Sequence, residues 1–178
     1  MRKLKVEELN RLTTLEFKAA RKVSLVIVLD NLRSQNNIGS VFRTCDAFLV
    51  KKLYLCGITA TPPHKEIHKT TLGATESVEW EYSESTIKVV RDLKERGYIV
   101  LAAEQTDKSI YLQDYPVDNR NKYAIVLGHE MHGVDQKVID ECMACIEIPQ
   151  HGTKHSLNVA VSGGILIWHF FRRLYNNG

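Results

Sequence analysis

The sequence predicts an α/β domain in which a mostly parallel sheet carries helices on both faces. Short apolar, β-branched runs alternate with helical segments along the chain, and this order is typical of a parallel sheet. The chain has 178 residues, a common length for a single domain. Its composition, 44% hydrophobic and 25% charged, excludes a disordered, collagen-like or low-complexity protein.

Apolar runs predict the strands. The first run, at 23–29, is continuous and β-branched, as expected of a strand that is buried on both faces of the sheet. Residues 104–121, which contain Pro116 and a polar run, are predicted to be a loop. The remaining strands are predicted at 52–56, 78–82, 98–103, 123–127 and 144–148.

Capping residues predict where the helices begin and end. Asn36-Asn37 offers an N-cap for a helix that runs to about Phe48. Gly97 ends a helix that begins at Ser83 or Ser85, since glycine tolerates the left-handed conformation after a last turn. The other helices are predicted at 5–21, within 64–75, at about 134–142 with Asp135 as a cap, and at 156–175 with Ser156 as a cap.

Positive charge is concentrated at the N-terminus. Residues 1–22 hold seven basic and three acidic side chains, a net charge of +4, whereas the rest of the chain holds 17 basic and 18 acidic ones. We therefore expect residues 1–22 to form a basic N-terminal helical extension and residues 23–178 to form the main domain. A mixed-charge helix is more often a solvated surface than a contact with an anionic partner, so both interpretations stay open.

The sequence predicts a cytoplasmic protein. No apolar run reaches the roughly 20 residues of a membrane span. The first residues lack the apolar core of a signal peptide, because their leucines alternate with charged residues.

A zinc site is a weak alternative near the C-terminus. Cys142, Cys145, His151 and His155 form a C-x2-C-x5-H-x3-H pattern. The central gap is much shorter than the usual spacer between the two ligand pairs. Buried cysteines in a strand at 142–148 explain the pattern better, so no metal is expected.

Parallel sheets bind ligands at the carboxyl ends of their strands, so the loops there hold the candidate functional residues. Asn37 and Arg43 follow the first strand, in a helix whose N-terminus favours anions, although capping and a solvated charge also explain them. Glu130 lies between Gly128 and Gly133, and glycine there lets the backbone approach a ligand. A simple turn explains this second pattern equally well.

The last predicted helix contains residues that are unfavourable there unless specific contacts compensate. Asn158 lies in an otherwise apolar first turn, where a buried amide must find partners. Gly163-Gly164 costs about 1 kcal/mol per residue relative to alanine, so a strand, a loop or a partner subunit should approach closely there. An apolar stripe on the same helix fits either the core or a subunit interface, and comprises Leu157, Val161, Ile165, Trp168 and Phe171.

Several common enzyme motifs are absent from the sequence. It has no G-x-G-x-x-G after a strand, no Walker lysine loop, no G-x-S-x-G elbow and no H-E-x-x-H. These absences argue against a Rossmann dehydrogenase, a P-loop enzyme, a serine hydrolase of that type and a zinc protease.

Taken together, three segments resemble the SpoU (TrmH-like) RNA ribose methyltransferases. Asn37–Thr44 resembles the first motif of that family, Gly128–Gly133 the second, and Ile148-Pro149 followed by Ser156–Val161 the third. The resemblance covers about residues 23–175. It implies a SPOUT α/β-knot with a deep C-terminal trefoil, and a homodimer. It also implies an enzyme that uses S-adenosylmethionine to methylate a ribose 2′-hydroxyl of tRNA or rRNA.

The resemblance also implies roles for individual residues. It makes Arg43 the catalytic arginine, places Asn37 near the substrate ribose, and has Glu130 support either the active-site loop or Arg43. Ser156 and Asn158 match positions of the third motif at the site. The methyl donor is expected to be bound around Ala103, Glu104, Gly128, Ile148, Ser156 and Leu157.

Two other functions are alternatives at this point. One is a catalytically weak RNA-binding or assembly factor on the same fold, which the intact set of motif residues argues against. The other is a methyltransferase that modifies a base, which the ribose-type motifs disfavour. The sequence specifies neither the RNA nor the nucleotide.

Overall fold

The computed structural model describes residues 1–175, and its core is one seven-stranded sheet. The strands are β1 (Val23–Asp30), β2 (Val50–Cys56), β3 (Trp80–Ser83), β4 (Tyr98–Ala103), β5 (Ile110–Tyr111), β6 (Lys122–Leu127) and β7 (Ala144–Glu147). Their order across the sheet is β3-β2-β1-β6-β4-β7-β5, and all neighbouring strands pair in parallel. This arrangement confirms the predicted α/β class. The C-terminal trefoil stays a prediction.

Helices cover the sheet. They are α1 (Thr14–Ala19), α2 (Gln35–Ala47), α3 (Lys65–Thr71), α4 (Ala74–Ser77), α5 (Thr86–Glu95), α6 (Gln136–Ile139) and α7 (Val159–Leu174). Alternate residues of β1 face opposite sides, as a strand requires: Leu25, Ile27 and Leu29 pack in one cluster with α2 and α7 residues. Val26 and Val28 pack in a second cluster with residues of α5 and α6. The apolar run, which only Ser24 interrupts, thus reflects a strand that is buried on both faces.

Two helices begin at residues other than those predicted. Helix α2 is capped by Ser34, whose Oγ accepts a hydrogen bond from the Asn37 backbone N–H at 3.3 Å, rather than by Asn36 or Asn37. Helix α7 begins after Asn158, whose Oδ1 accepts from Ala160 N at 2.9 Å, and Ser156 lies outside it. Asn158 is therefore the exposed cap of α7 and not a buried amide in its first turn.

The predicted ends of α5 are confirmed at both sides. Ser85 caps its N-terminus, and Gly97, at φ +79°, follows its last turn. Asp135 caps α6 as predicted, but that helix is only four residues long. The segment predicted as a loop at 104–121 contains the short strand β5, which pairs with β7.

The N-terminal segment is less helical than predicted for residues 5–21. A 3₁₀ turn at Val6–Leu9 and helix α1 are separated by residues 10–13, the first of which, Asn10, is left-handed at φ +46°. Residues 1–16 are exposed, whereas Phe17 is buried in the core. The segment is therefore attached to the domain through α1, and its first residues form an exposed arm.

The close approach predicted at Gly163-Gly164 is present at the first glycine. A Cβ on Gly163 would lie 3.0 Å from Cδ1 of Leu127 on β6, whereas a Cβ on Gly164 would meet nothing within 4 Å. A strand of the same chain therefore explains Gly163. Along residues 1–175, no helix is both long and apolar enough to cross a membrane.

Candidate functional site

A cavity of about 540 Å³ opens at the carboxyl ends of β4, β6 and β7. Volumes of about 300–1,000 Å³ are usual for pockets that hold small molecules and cofactors. The residues expected to bind the methyl donor all line it, although they come from four separate parts of the chain: Ala103, Glu104, Gly128, Ile148, Ser156 and Leu157.

Backbone forms one wall of this cavity at the end of β6. A Cβ on Gly128 would lie 2.2 Å from both the carbonyl carbon of Gly133 and the nitrogen of Val134. Only glycine allows this approach, as the sequence suggested. Gly133 itself has φ +68°, the left-handed conformation that glycine adopts without strain.

Glu104, just after β4, contacts the end of the turn at 128–133. Its Oε2 accepts a hydrogen bond from Val134 N at 2.9 Å, and its Oε1 accepts from Gln105 N at 2.9 Å. A Cβ on Gly133 would lie 2.0 Å from that Oε2. The carboxylate of Glu104 therefore fixes the shape of the cavity wall in addition to lining the cavity.

Glu130 connects the second motif with the first. Its carboxylate accepts hydrogen bonds from Arg33 N at 3.1 Å, Ser34 N at 2.9 Å and Asn37 Nδ2 at 3.1 Å. These donors belong to the loop after β1 and the first turn of α2. Of the two roles expected for Glu130, support of the loop is the one that the geometry favours.

Hydrogen bonds also hold Glu130 in its charged form. Burial alone would raise the pKa of Glu130, but backbone N–H groups, including those of Arg33 and Ser34, and the Asn37 amide outweigh it and lower that pKa. A lowered pKa in the folded state means that the ionised carboxylate stabilises the fold above its unfolded pKa of about 4.3. This contribution is lost as the pH falls through the lower folded value.

We expect Glu130→Gln to destabilise the protein by about 1 kcal/mol at pH 7. Hydrogen bonds to a charged carboxylate stabilise a fold more than those to a neutral amide, but the partial exposure of Glu130 reduces this difference. The difference between the melting temperatures of the variant and the original protein should shrink as the pH falls below about 4. Glu84→Gln is the control, because Glu84 is an exposed carboxylate on the loop before α5. A difference that persists unchanged at low pH would contradict the assignment.

Asn158 brings the third motif to the other two. Its Nδ2 donates a hydrogen bond to Oδ1 of Asn37 at 3.1 Å, while its Oδ1 caps α7. Asn37 in turn donates to Glu130, so one chain of hydrogen bonds joins residues that are 93 and 121 positions apart. The three motifs therefore meet at one place beside the cavity.

Arg43 lies apart from this hydrogen-bonded chain. It is exposed on α2 and does not line the cavity. Within residues 1–175, its guanidinium forms no hydrogen bond or ion pair. Its charge is therefore available to a molecule that binds outside the cavity.

The sequence did not indicate several residues at this site. Ser34 and the backbone of Arg33 are partners of Glu130. Gln105 donates a hydrogen bond to the carbonyl oxygen of His155 at 3.0 Å, which connects β4 to the loop before α7. The S-x-x-N spacing before α2 could have identified Ser34 as a cap; the bond between Gln105 and His155 leaves no sequence signal.

The fold and this site place the chain among α/β proteins that have a cavity at the carboxyl ends of a parallel sheet, here with glycine backbone as one wall. Within this class, the chain belongs to the SpoU rRNA Methylase family, whose profile matches residues 24–168.

Curated relatives share this region. A Staphylococcus haemolyticus protein named for the TrmH family of tRNA/rRNA methyltransferases is 31% identical over 156 residues, 88% of this chain and 61% of that protein. A tRNA (guanosine(18)-2′-O)-methyltransferase of Aquifex aeolicus is 28% identical over 159 residues, 89% of this chain and 74% of that protein. The chain thus spans about three fifths of the length of the staphylococcal relatives.

Solved structures have the same fold. The A. aeolicus TrmH/SpoU tRNA modifying enzyme gives a TM-score of 0.79 at 26% identity, over 90% of this chain and 81% of that one. An AdoMet-bound rRNA methyltransferase from Sinorhizobium meliloti also gives 0.79, at 24% identity, over 90% of this chain and 61% of that one.

Proposed function

We propose that the protein transfers a methyl group from S-adenosylmethionine to a ribose 2′-hydroxyl of tRNA or rRNA. The observation that carries this proposal is the meeting of the three motifs: Glu130, Asn37 and Asn158 form one chain of hydrogen bonds beside the cavity. Family membership and the names of the relatives support it.

The cavity fits the methyl donor. Its size suits a nucleoside-containing molecule, and its walls at Ala103, Gly128 and Ile148 combine strand-end backbone with apolar side chains. S-adenosylmethionine would supply a methyl group that is already activated on a sulfonium. The task of the protein is then to place the ribose oxygen correctly, and alignment of this kind can lower a barrier by about 7–11 kcal/mol.

Arg43 and the hydrogen-bonded residues would divide this task. Asn37 and Asn158 hold each other in place, and Glu130 binds both Asn37 in the first turn of α2 and the loop before that helix, so that the ribose meets a rigid surface. A guanidinium keeps its charge in proteins and is a poor base. We therefore propose that Arg43 binds a phosphate and stabilises negative charge on the ribose oxygen, while another group accepts the proton.

Transfer of labelled methyl from S-adenosylmethionine to total RNA from a strain that lacks the gene tests the proposal. Digestion of the RNA to nucleosides should place the label on a 2′-O-methylated ribose. Label on a base would favour the base methyltransferase. RNA binding without affinity for S-adenosylmethionine in calorimetry would favour the assembly factor. We also propose that the protein acts in the cytoplasm, where tRNA and rRNA are abundant.

The N-terminal arm is proposed to contribute to RNA affinity. Residues 1–12 are all exposed, and within the described chain Lys3 and Arg11 have no ion-pair partner. Replacing Lys3, Lys5 and Arg11 together with alanine should weaken RNA binding and reduce the slope of log affinity against log salt by about 2–3, because each phosphate contact contributes about 0.7–0.9. Affinity for S-adenosylmethionine should stay unchanged.

A matched triple variant controls for charge alone. Lys65, Lys88 and Lys137 are exposed lysines on α3, α5 and α6, and their replacement with alanine removes the same charge from other surfaces. If both triple variants bound RNA with the same affinity and salt slope, the arm would be only a solvated surface.

We propose that α7 forms the interface of a homodimer. Its apolar stripe is exposed: Val161 at 52%, Ile165 at 39% and Trp168 at 51%. Soluble monomers rarely expose contiguous apolar patches of this kind. Light scattering at micromolar concentration should give a dimer, and Trp168→Glu should weaken it by at least about 30-fold, as expected for a central tryptophan.

Ile58→Glu is the control for this prediction. Ile58 is 64% exposed on the loop after β2, outside the stripe, so its replacement adds the same charge without touching α7. A monomer for the original protein, or equal dissociation of both variants, would contradict the proposed interface.

A further inference from the structure

The turn between Gly128 and Gly133 presents two stacked imidazole rings at the cavity. The ring centroids of His129 and His132 lie 4.7 Å apart, and their planes differ by 28°. Met131 lies beside them and is 78% exposed. All three residues line the cavity, and we name them the 129–132 platform. The resemblance gave no role to any of them.

The backbone holds this platform in one conformation. His129 N donates to Gly133 O at 2.9 Å, and Gly133 N donates to His129 O at 2.8 Å. Met131 N donates to Nδ1 of His129 at 3.0 Å. Because the turn is closed on itself, the rings are preorganised, and a ligand that stacks on them orders little new structure.

The platform lies next to the proposed ribose site. Glu130, in the middle of the turn, directs its carboxylate to the loop after β1 and to Asn37. Glu130 and its neighbours His129 and Met131 all line the cavity. A nucleotide whose ribose is held at Asn37 therefore has its base within the neighbourhood of the platform.

The chemistry of the platform suits a planar ring. Histidine rings are among the side chains on which unpaired RNA bases stack, and the methionine thioether adapts to an apolar face of varied shape. His132 is exposed, and within residues 1–175 its ring makes no hydrogen bond, so stacking is its contact. In the same part of the chain, no cluster of three or more histidine, cysteine, aspartate or glutamate residues could hold a metal ion.

We propose that the 129–132 platform stacks on an unpaired base of the substrate RNA beside the methylated ribose, and so contributes to RNA affinity. This inference rests on the proposed function and extends it to a recognition element for the base. The adenine of the methyl donor has the same ring chemistry, and the experiment separates the two occupants.

His132 is the residue to change, because His129 also holds the turn through its Nδ1. His132→Ala removes the outer ring, and His132→Phe keeps an aromatic face. His68→Ala, an exposed histidine on α3 that does not line the cavity, is the control. The readouts are filter binding of labelled total RNA, the apparent KM for that RNA in methyl transfer, and calorimetry with S-adenosylmethionine.

His132→Ala should weaken RNA binding and raise the apparent KM by about tenfold or more, the usual effect of losing one stacked base. His132→Phe should restore both values, His68→Ala should change neither, and affinity for S-adenosylmethionine should stay the same in all three. Equal RNA affinity in His132→Ala and the original protein would overturn the inference, as would a failure of phenylalanine to restore it.

Loss of affinity for S-adenosylmethionine in His132→Ala would also overturn the inference, since it would mean that the adenine of the methyl donor occupies the platform. The binding assay does not depend on catalysis. If the original protein bound RNA through His132 but transferred no methyl group, the proposed function would fail and the stacking surface would stand.

Discussion

Replacing Arg43 with alanine is expected to reduce the rate of methyl transfer at saturating RNA by about 10²–10³, the usual effect of removing one group that stabilises charge in a transition state. Affinity for S-adenosylmethionine should be unchanged, because Arg43 is exposed and does not line the cavity. Stability should change little, since within residues 1–175 the guanidinium has no hydrogen-bond or ion-pair partner. Loss of turnover without loss of cofactor binding or fold would assign Arg43 to the reaction.

Arg43→Lys tests whether the charge of Arg43 alone is sufficient or whether its guanidinium is required. Lysine keeps the charge but lacks the planar guanidinium that binds a phosphate with two parallel hydrogen bonds, so an intermediate rate is expected. Arg33→Ala is the matched control: Arg33 is exposed on the loop before α2, and only its backbone contacts Glu130. Single-turnover rates and calorimetry on the three variants separate catalysis from binding. If Arg43→Ala and Arg43→Lys both kept full turnover, the assignment of Arg43 would be wrong.

The strands were predictable because local sequence determines them. The run at 23–29 is apolar except for Ser24, and the structure extends it by one buried residue, Asp30. Strand β4 was predicted with its observed ends. The two-residue strand β5 could not be found in this way, because both of its residues are exposed and only its pairing with β7 makes it a strand.

The starts of α2 and α7 depended on contacts that the sequence does not display. Ser34, Asn36 and Asn37 can all cap a helix. In the fold, the side chain of Asn37 is bound to Glu130 and Asn158, so Ser34 serves as the cap. Contacts with residues about a hundred positions away in the sequence thus determine which residue caps α2.

The cavity and the hydrogen bonds of Glu130 differ in how far the sequence could predict them. The edge of the sheet that holds the cavity was predictable, because strands that run in parallel bring their carboxyl ends to one edge. The individual residues expected around the methyl donor came from the family resemblance. The partners of Glu130 were not predictable, since the backbone N–H groups of Arg33 and Ser34 carry no side-chain signature. Nor were the stacked rings of His129 and His132, whose spacing is equally common in an unstructured turn.

Among the substitutions considered, Gly128→Ala is expected to weaken the binding of S-adenosylmethionine most. The added Cβ would lie 2.2 Å from the carbonyl carbon of Gly133 and from the nitrogen of Val134, and backbone atoms cannot rotate away from it. The turn at 128–133 must then move off the end of β6, and Val134 would lose its hydrogen bond to Glu104. We expect a loss of about 1–3 kcal/mol in stability and at least about 100-fold in affinity for S-adenosylmethionine.

Gly152→Ala is the control, because Gly152 is exposed and a Cβ there meets nothing within 4 Å. The loss of stability should lower the melting temperature by about 2–4 °C per kcal/mol, which leaves the protein folded at the temperature of a calorimetric titration. Circular dichroism at that temperature verifies the fold, so that weak binding can be attributed to the cavity wall. Because the effect acts through the position of the turn and not through a lost side chain, it should also weaken RNA binding through the 129–132 platform. Unchanged affinity for the methyl donor in a folded Gly128→Ala protein would show that the donor does not meet this wall.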